Sequence, residues 1–200
     1  MNAADLKIID IKKEISNYST QWSACIDYLK INCKQDTLYQ NYINLNLDNF
    51  LTFTAVFYQD DIVSFGGVEA KQDRWGSGIA RALTRFWISP KHRTQGLTKW
   101  RNDSLKLSPV VLKAQLEFLK TVEDIKAVII TREGKYLKSF REIIRLANTV
   151  SEQEFQILPG KYNVCECIAT PPESCRQFVA INNVEMFNQS SNLGFFKKYE

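Results

Sequence analysis

The sequence has one histidine, His92, among 200 residues, and no run of about 18 consecutive apolar residues that would span a bilayer as a helix. A single histidine supports no specific Ser/His/Asp or Cys/His catalytic arrangement. Internal repeats, low-complexity tracts and long linkers are lacking too, which excludes solenoid, collagen-like and disordered chains. The first residues, Met1-Asn2-Ala3-Ala4-Asp5, lack the basic start and apolar stretch of a secretory signal, so a cytosolic chain is expected. Five cysteines, Cys25, Cys33, Cys165, Cys167 and Cys175, are an odd number and contain no C-x-x-C pair. That disfavours a disulfide framework and a zinc site, so buried thiols and no bound metal are expected.

Hydrophobic residues make up 44% and charged residues 24%, ordinary values for a globular fold with one core. The net charge of +4 is too mild to mark a nucleic-acid binder by itself. Its distribution says more. From Arg81 to Lys106 there are seven lysines and arginines against one acid, Asp103, a local surplus larger than that of the whole chain. Such a stretch is either a solvated surface or an anion site, for a phosphorylated cofactor or a nucleic-acid backbone.

Periodicity divides the chain as β-α-α-β-β-β-loop-α-β-α-β-β. Residues Leu6 to Ile11 alternate weakly and predict a first strand. Ile15, Tyr18, Trp22, Cys25, Ile26 and Leu29 recur at helical spacing, and Asp36 to Leu47 predicts a second helix. Leu51 to Phe57 alternates, turns at Gln59-Asp60-Asp61 and continues as Ile62 to Ala70, a hairpin. After the turn Trp75-Gly76-Ser77-Gly78, Ile79 to Ile88 gives a further strand. Ser108-Pro109 reads as a cap and first helical position opening Val110 to Val122. Ile125 to Thr131 is a buried strand, Tyr136 to Ala147 a helix, and 155–168 and 177–182 the last strands. The helix between the fourth and fifth strands makes those two parallel. The expected fold is therefore α/β (α+β), a mixed, mainly antiparallel sheet of about seven strands flanked by helices, with one domain over 1–183 and a tail over 184–200.

Arg93-Thr94-Gln95-Gly96-Leu97-Thr98 follows the fourth strand, where a glycine admits close backbone approach and amides at a helix start can donate to a phosphate. That element order, with Phe86-Trp87-Ile88-Ser89-Pro90-Lys91-His92-Arg93-Thr94-Gln95-Gly96-Leu97-Thr98, resembles the GNAT superfamily of N-acetyltransferases. Members show [Q/R]-x-x-G-x-[G/A] at this place. Arg93 and Gly96 match it; Thr98 departs from the final small residue, and residues 99–109 stand where an unbroken helix is expected. The resemblance implies that Arg93 and the amides of Thr94, Gln95, Gly96, Leu97 and Thr98 hold the pyrophosphate of acetyl-CoA or a related acyl-CoA. It also implies that main-chain groups of Trp87, Ile88 and Ser89 line the cofactor arm between diverging strands. On alternation alone, Trp87 fits the core equally well.

Tyr136 stands where that family often places the acid that protonates the thiolate, and it also opens an apolar helical stripe. Glu69, after Gly66-Gly67 on the third strand, is the candidate base; an exposed strand-end carboxylate is its other reading. The expected activity is transfer of an acetyl group from acetyl-CoA to an amine on a small molecule or protein, by a monomer or homodimer without membrane attachment. The alternatives are a nucleic-acid module using the basic stretch with Trp87 and Trp100, and a silent scaffold of the same fold.

Overall fold

The computed structural model describes residues 5–32, 45–92, 107–133, 137–163 and 176–199. In chain order the strands are β1 (Leu6–Asp10), β2 (Thr52–Tyr58), β3 (Asp61–Glu69), β4 (Ile79–Ile88), β5 (Ala127–Glu133), β6 (Gln156–Ile157), β7 (Lys161–Asn163), β8 (Arg176–Ile181) and β9 (Lys198–Tyr199). The helices are α1 (Ile11–Glu14), α2 (Ser19–Asn32), α3 (Gln72–Trp75), α4 (Leu107–Leu119), α5 (Leu137–Ala147) and α6 (Val184–Asn192). The sheet is mixed and mainly antiparallel, with one parallel pair, β4 with β5. Two compact units divide the chain: residues 1–68 with 83–115, and residues 69–82 with 116–200.

In the first unit the strands run in the order β1, β2, β3 and the second half of β4. Asp10 ends β1 by capping α1, accepting from the Lys12 amide at 3.2 Å; the same carboxylate oxygen accepts from the Phe53 amide at 3.1 Å. Ile11, expected in the strand, therefore begins a helix and is fully buried. A one-residue register shift between Val56 and Phe57 changes the phase of the hairpin. It lets Ile62 and Phe65, three apart, reach one core with Phe53, Ala55 and Phe57, against Trp22 and Leu29 of α2. A second core joins Val56 and Val63 to Leu107 and Val111 of α4. The two cores draw on alternate residues of β2, as a strand buried on both faces requires. The helix expected over 36–47 falls mostly outside the described residues; a 3₁₀ turn covers Leu47–Asn49.

The second unit contains the first half of β4, then β5, β8, β7 and β9, with β6 also on β8. Gly76 and Gly78, both at φ +82°, make the turn into β4 without a Cβ penalty. The single strand expected over 155–168 is divided in its described part: β6 and β7 are separated at Pro159-Gly160, with Gly160 at φ +95°. Residues 184–199, read from sequence as a tail, form α6 and β9. Asn183 caps α6, accepting from the Met186 amide at 3.2 Å, and Phe187 and Phe196 pack into the core with Ile79, Ile129, Val179 and Ile181. This added strand and the divided β6/β7 segment raise the strand number to nine among the described residues. No helix of the described residues is long and apolar enough to cross a membrane.

Two stability tests follow from this packing. A Cβ at Gly67 would lie 2.3 Å from Phe50 Cδ1 and 2.8 Å from Phe53 Cδ2, and those rings pack edge-on with centroids 4.9 Å apart. Gly67→Ala is expected to cost about 1–3 kcal/mol in urea denaturation; an unchanged midpoint would contradict the packing. Phe187→Ala is expected to cost about 3–5 kcal/mol, whereas a dispensable tail would leave stability unaltered.

Candidate functional site

Strand β4 carries Trp87 and Ile88 of the sequence-predicted site, and Ser89 follows it. Its first three residues pair with β5 in parallel: Ile79 with Ala127, Ala80 with Val128 and Arg81 with Ile129. The ladder register ends there, although β4 runs on to Ile88. Two residues past that end, Leu83 adopts φ +53°, and Arg85 follows at φ +52°. Neither is glycine, so each carries a Cβ penalty of about 1–2 kcal/mol that surrounding contacts must offset. The left-handed turns also break side-chain alternation. Leu83 and Phe86, three apart, both pack on the core of Val63 and Val111, while Trp87 joins the other core.

The Leu83 amide, turned out of a regular strand, is met by a side chain. It donates to Oε1 of Gln115 at 2.9 Å. Gln115 lies on α4 and is fully buried. Its Nε2 has no hydrogen-bond partner among the described residues. Gly66 of β3 makes room beside it: a Cβ there would stand 3.3 Å from Phe86, 3.4 Å from Val111 and 3.5 Å from Gln115 Nε2. Sequence reasoning passed over Gln115. The available signal was a polar residue four after Val111, on the apolar face of its helix.

Trp87 is a core residue, 4% exposed, stacked on Phe65 at 5.2 Å between centroids and edge-on to Tyr28 at 6.4 Å. Its carbonyl accepts from Ser64 Oγ at 2.7 Å. The Ser89 amide donates to the Val63 carbonyl at 2.9 Å, and the Ser89 carbonyl accepts from the His92 amide at 2.8 Å. Main-chain groups of Trp87 and Ser89 are thus engaged toward β3 and within the turn.

Glu69 is buried, against the exposed strand-end alternative. Its carboxylate lies 3.4 Å from the Arg81 guanidinium, which itself stands over the Trp75 ring at 5.2 Å. Arg93, Thr94, Gln95, Gly96, Leu97, Thr98 and Tyr136 lie outside the described residues, as does Trp100. Helix α4 begins by Leu107, so Ser108, expected as its cap, and Pro109, expected as its first residue, both fall inside its first turn, where the missing proline N–H costs no intrahelical bond. Cys25 is a buried free thiol, as expected of it; the other four cysteines lie outside the described residues.

No protein-family model and no curated protein matches the sequence. Solved structures do. An acetyltransferase of the GNAT family from Streptococcus pneumoniae aligns over 88% of this chain and 97% of its own, at 14% identity and a TM-score of 0.52. An acetyltransferase from Streptococcus agalactiae aligns over 89% and 98%, at 13% identity and a TM-score of 0.52. An aminoglycoside acetyltransferase in complex with coenzyme A aligns over 93% and 99%, at 8% identity and a TM-score of 0.52. The described chain has the fold of the GNAT acetyltransferases.

Proposed function

We propose that this protein is an acyl-CoA-dependent N-acyltransferase that moves an acetyl group from acetyl-CoA to an amine. The observation that carries the reading is the early end of the β4–β5 register at Arg81, followed at once by the left-handed residues Leu83 and Arg85. Beyond Arg81 the strand departs from regular geometry. The basic Arg93-x-x-Gly96 sequence begins five residues after the strand ends. The fold shared with acetyltransferases, one of them holding coenzyme A, supports the same reading.

In this proposal Arg93 and the amides of Thr94 to Thr98 hold the pyrophosphate, since guanidinium and clustered N–H groups both favour a dense anion. The local surplus of positive charge is then neutralised by the cofactor. Of the expected arm residues, Ile88 is assigned to the cofactor, since Trp87 and Ser89 are engaged with β3. The amine nitrogen attacks the thioester carbonyl carbon, the carbon–sulfur bond breaks, and coenzyme A departs as a thiolate. The amine loses one proton and the thiolate gains one. Glu69, its carboxylate positioned by Arg81, is assigned as the acceptor, and Tyr136 as the donor.

Calorimetric titration with acetyl-CoA tests the loop assignment. The parent is expected to bind saturably, and a variant carrying both Arg93→Ala and Gly96→Glu is expected to lose binding, through a missing cation and an added anion. Equal binding by the two would remove the pyrophosphate from this loop. Salt-dependent RNA or DNA binding that acetyl-CoA does not compete would instead favour a nucleic-acid role for the basic stretch.

A further inference from the structure

We infer that the outer edge of β9 is a docking site for an acidic, extended segment of another polypeptide, which adds to the sheet as a further strand; this stands apart from the acyl-CoA reading. Strands β7, β8 and β9 carry lysine and arginine but no acid. Their registers set Arg176 of β8, Asn163 of β7 and Lys197, just ahead of β9, in one row across the sheet. The next row on the same face is Phe178, Lys161 and Tyr199. Arg176, Lys161 and Lys197 thus share one face, within about 10 Å across two strand spacings and about 7 Å along the strands. Elsewhere cations meet carboxylates, as Lys120 meets Glu117 and Glu152. Here they rest on rings: Arg176 stands over Tyr199 at 4.9 Å, and Lys161 over Phe178 at 5.8 Å. A ring holds a cation through its quadrupole without cancelling the charge. Among the described residues no carboxylate pairs with Lys161, Arg176, Lys197 or Lys198.

The edge supplies the other half of the site. The Asn163 amide donates to the Lys197 carbonyl at 2.9 Å, so the peptide groups of Lys197 and Tyr199 face β7 and those of Lys198 point outward. Strand β9 ends the sheet, with no strand beyond it among the described residues. An incoming strand bonds to the N–H and C=O of Lys198. An acid opposite Lys197 then lies beside that lysine, and an acid opposite Tyr199 lies beside the Arg176 guanidinium. The residue between them lies beside Lys198 on the other face. A second copy of this chain is the wrong partner, because pairing through Lys198 sets that lysine against its own copy. A nucleic acid is served less well, since Arg176 and Lys161 already occupy ring faces of Tyr199 and Phe178 on which bases would stack.

The probe is a fluorescein-labelled peptide of five Glu-Thr repeats, followed by fluorescence anisotropy with the full-length protein. Saturable binding is expected, weakened about fivefold or more when Lys161→Gln, Arg176→Gln and Lys197→Gln are combined. Lys198→Pro removes the outward N–H at an edge position that tolerates proline, whereas Lys198→Thr removes the charge alone. The proline variant is expected to bind about threefold or more weaker than the threonine variant. A parent that ignores the peptide, or a triple variant that binds it equally, overturns the inference. Equal binding by Lys198→Pro and Lys198→Thr does the same, as does tighter parent binding of a labelled twelve-nucleotide oligouridylate, which would give the charges to nucleic acid. If circular dichroism shows Lys198→Pro unfolded, hydrogen exchange of the Lys198 amide in the parent decides: it must slow when the peptide saturates the protein, and an unchanged rate overturns strand addition.

Discussion

A strand that carries positive φ at two residues with side chains cannot continue a regular ladder, and β4 does so at Leu83 and Arg85. Together these cost about 2–4 kcal/mol against an ordinary extended strand. The offset comes from packing and from a hydrogen bond. Leu83 and Phe86 gain places in the core with Val63 and Val111, and the displaced Leu83 amide gains Gln115 as its acceptor. Trp87 is turned to the other face, where it stacks on Phe65. A strand without those two residues would place its side chains in simple alternation.

The neighbouring elements are arranged around that constraint. Gly66 keeps β3 low enough for Gln115 and Phe86 to approach, while Gly67, one residue on and on the opposite face, admits the Phe50 and Phe53 rings. Adjacent glycines thus serve two cores. In the second unit the burden falls differently. Its core takes Phe187 and Phe196 from the C-terminal residues, and Arg81 pairs with the carboxylate of Glu69.

Much of the fold was legible because hydrophobic periodicity is a short-range property. The bounds of β4, the β2–β3 hairpin, the parallel relation of β4 and β5, and the general element order follow from alternation, turn residues and the length of the crossover. What escaped has physical reasons. Leu83 and Arg85 have no glycine or asparagine to announce positive φ, because the conformation is imposed by tertiary contacts. Residues 184–199 looked like a tail because α6 buries only Phe187 and Ser190 among its nine residues. Gln115 looked like an irregularity in an apolar stripe. In the candidate site, the burial of Trp87 was one of two readings open from the sequence, and the pairing of Glu69 with Arg81 joins residues twelve apart whose meeting depends on the turn at Gly76 and Gly78.

The account places the working edge of the molecule on the distorted half of β4, and a titration of uniformly nitrogen-15-labelled protein with coenzyme A, followed amide by amide in NMR, addresses that most directly. The predicted result is a saturable shift of the Ile88 amide while Ala80, Val128 and Ile129 of the paired segment stay in place. Shifts confined to the paired segment, with Ile88 unmoved at saturating coenzyme A, would contradict it.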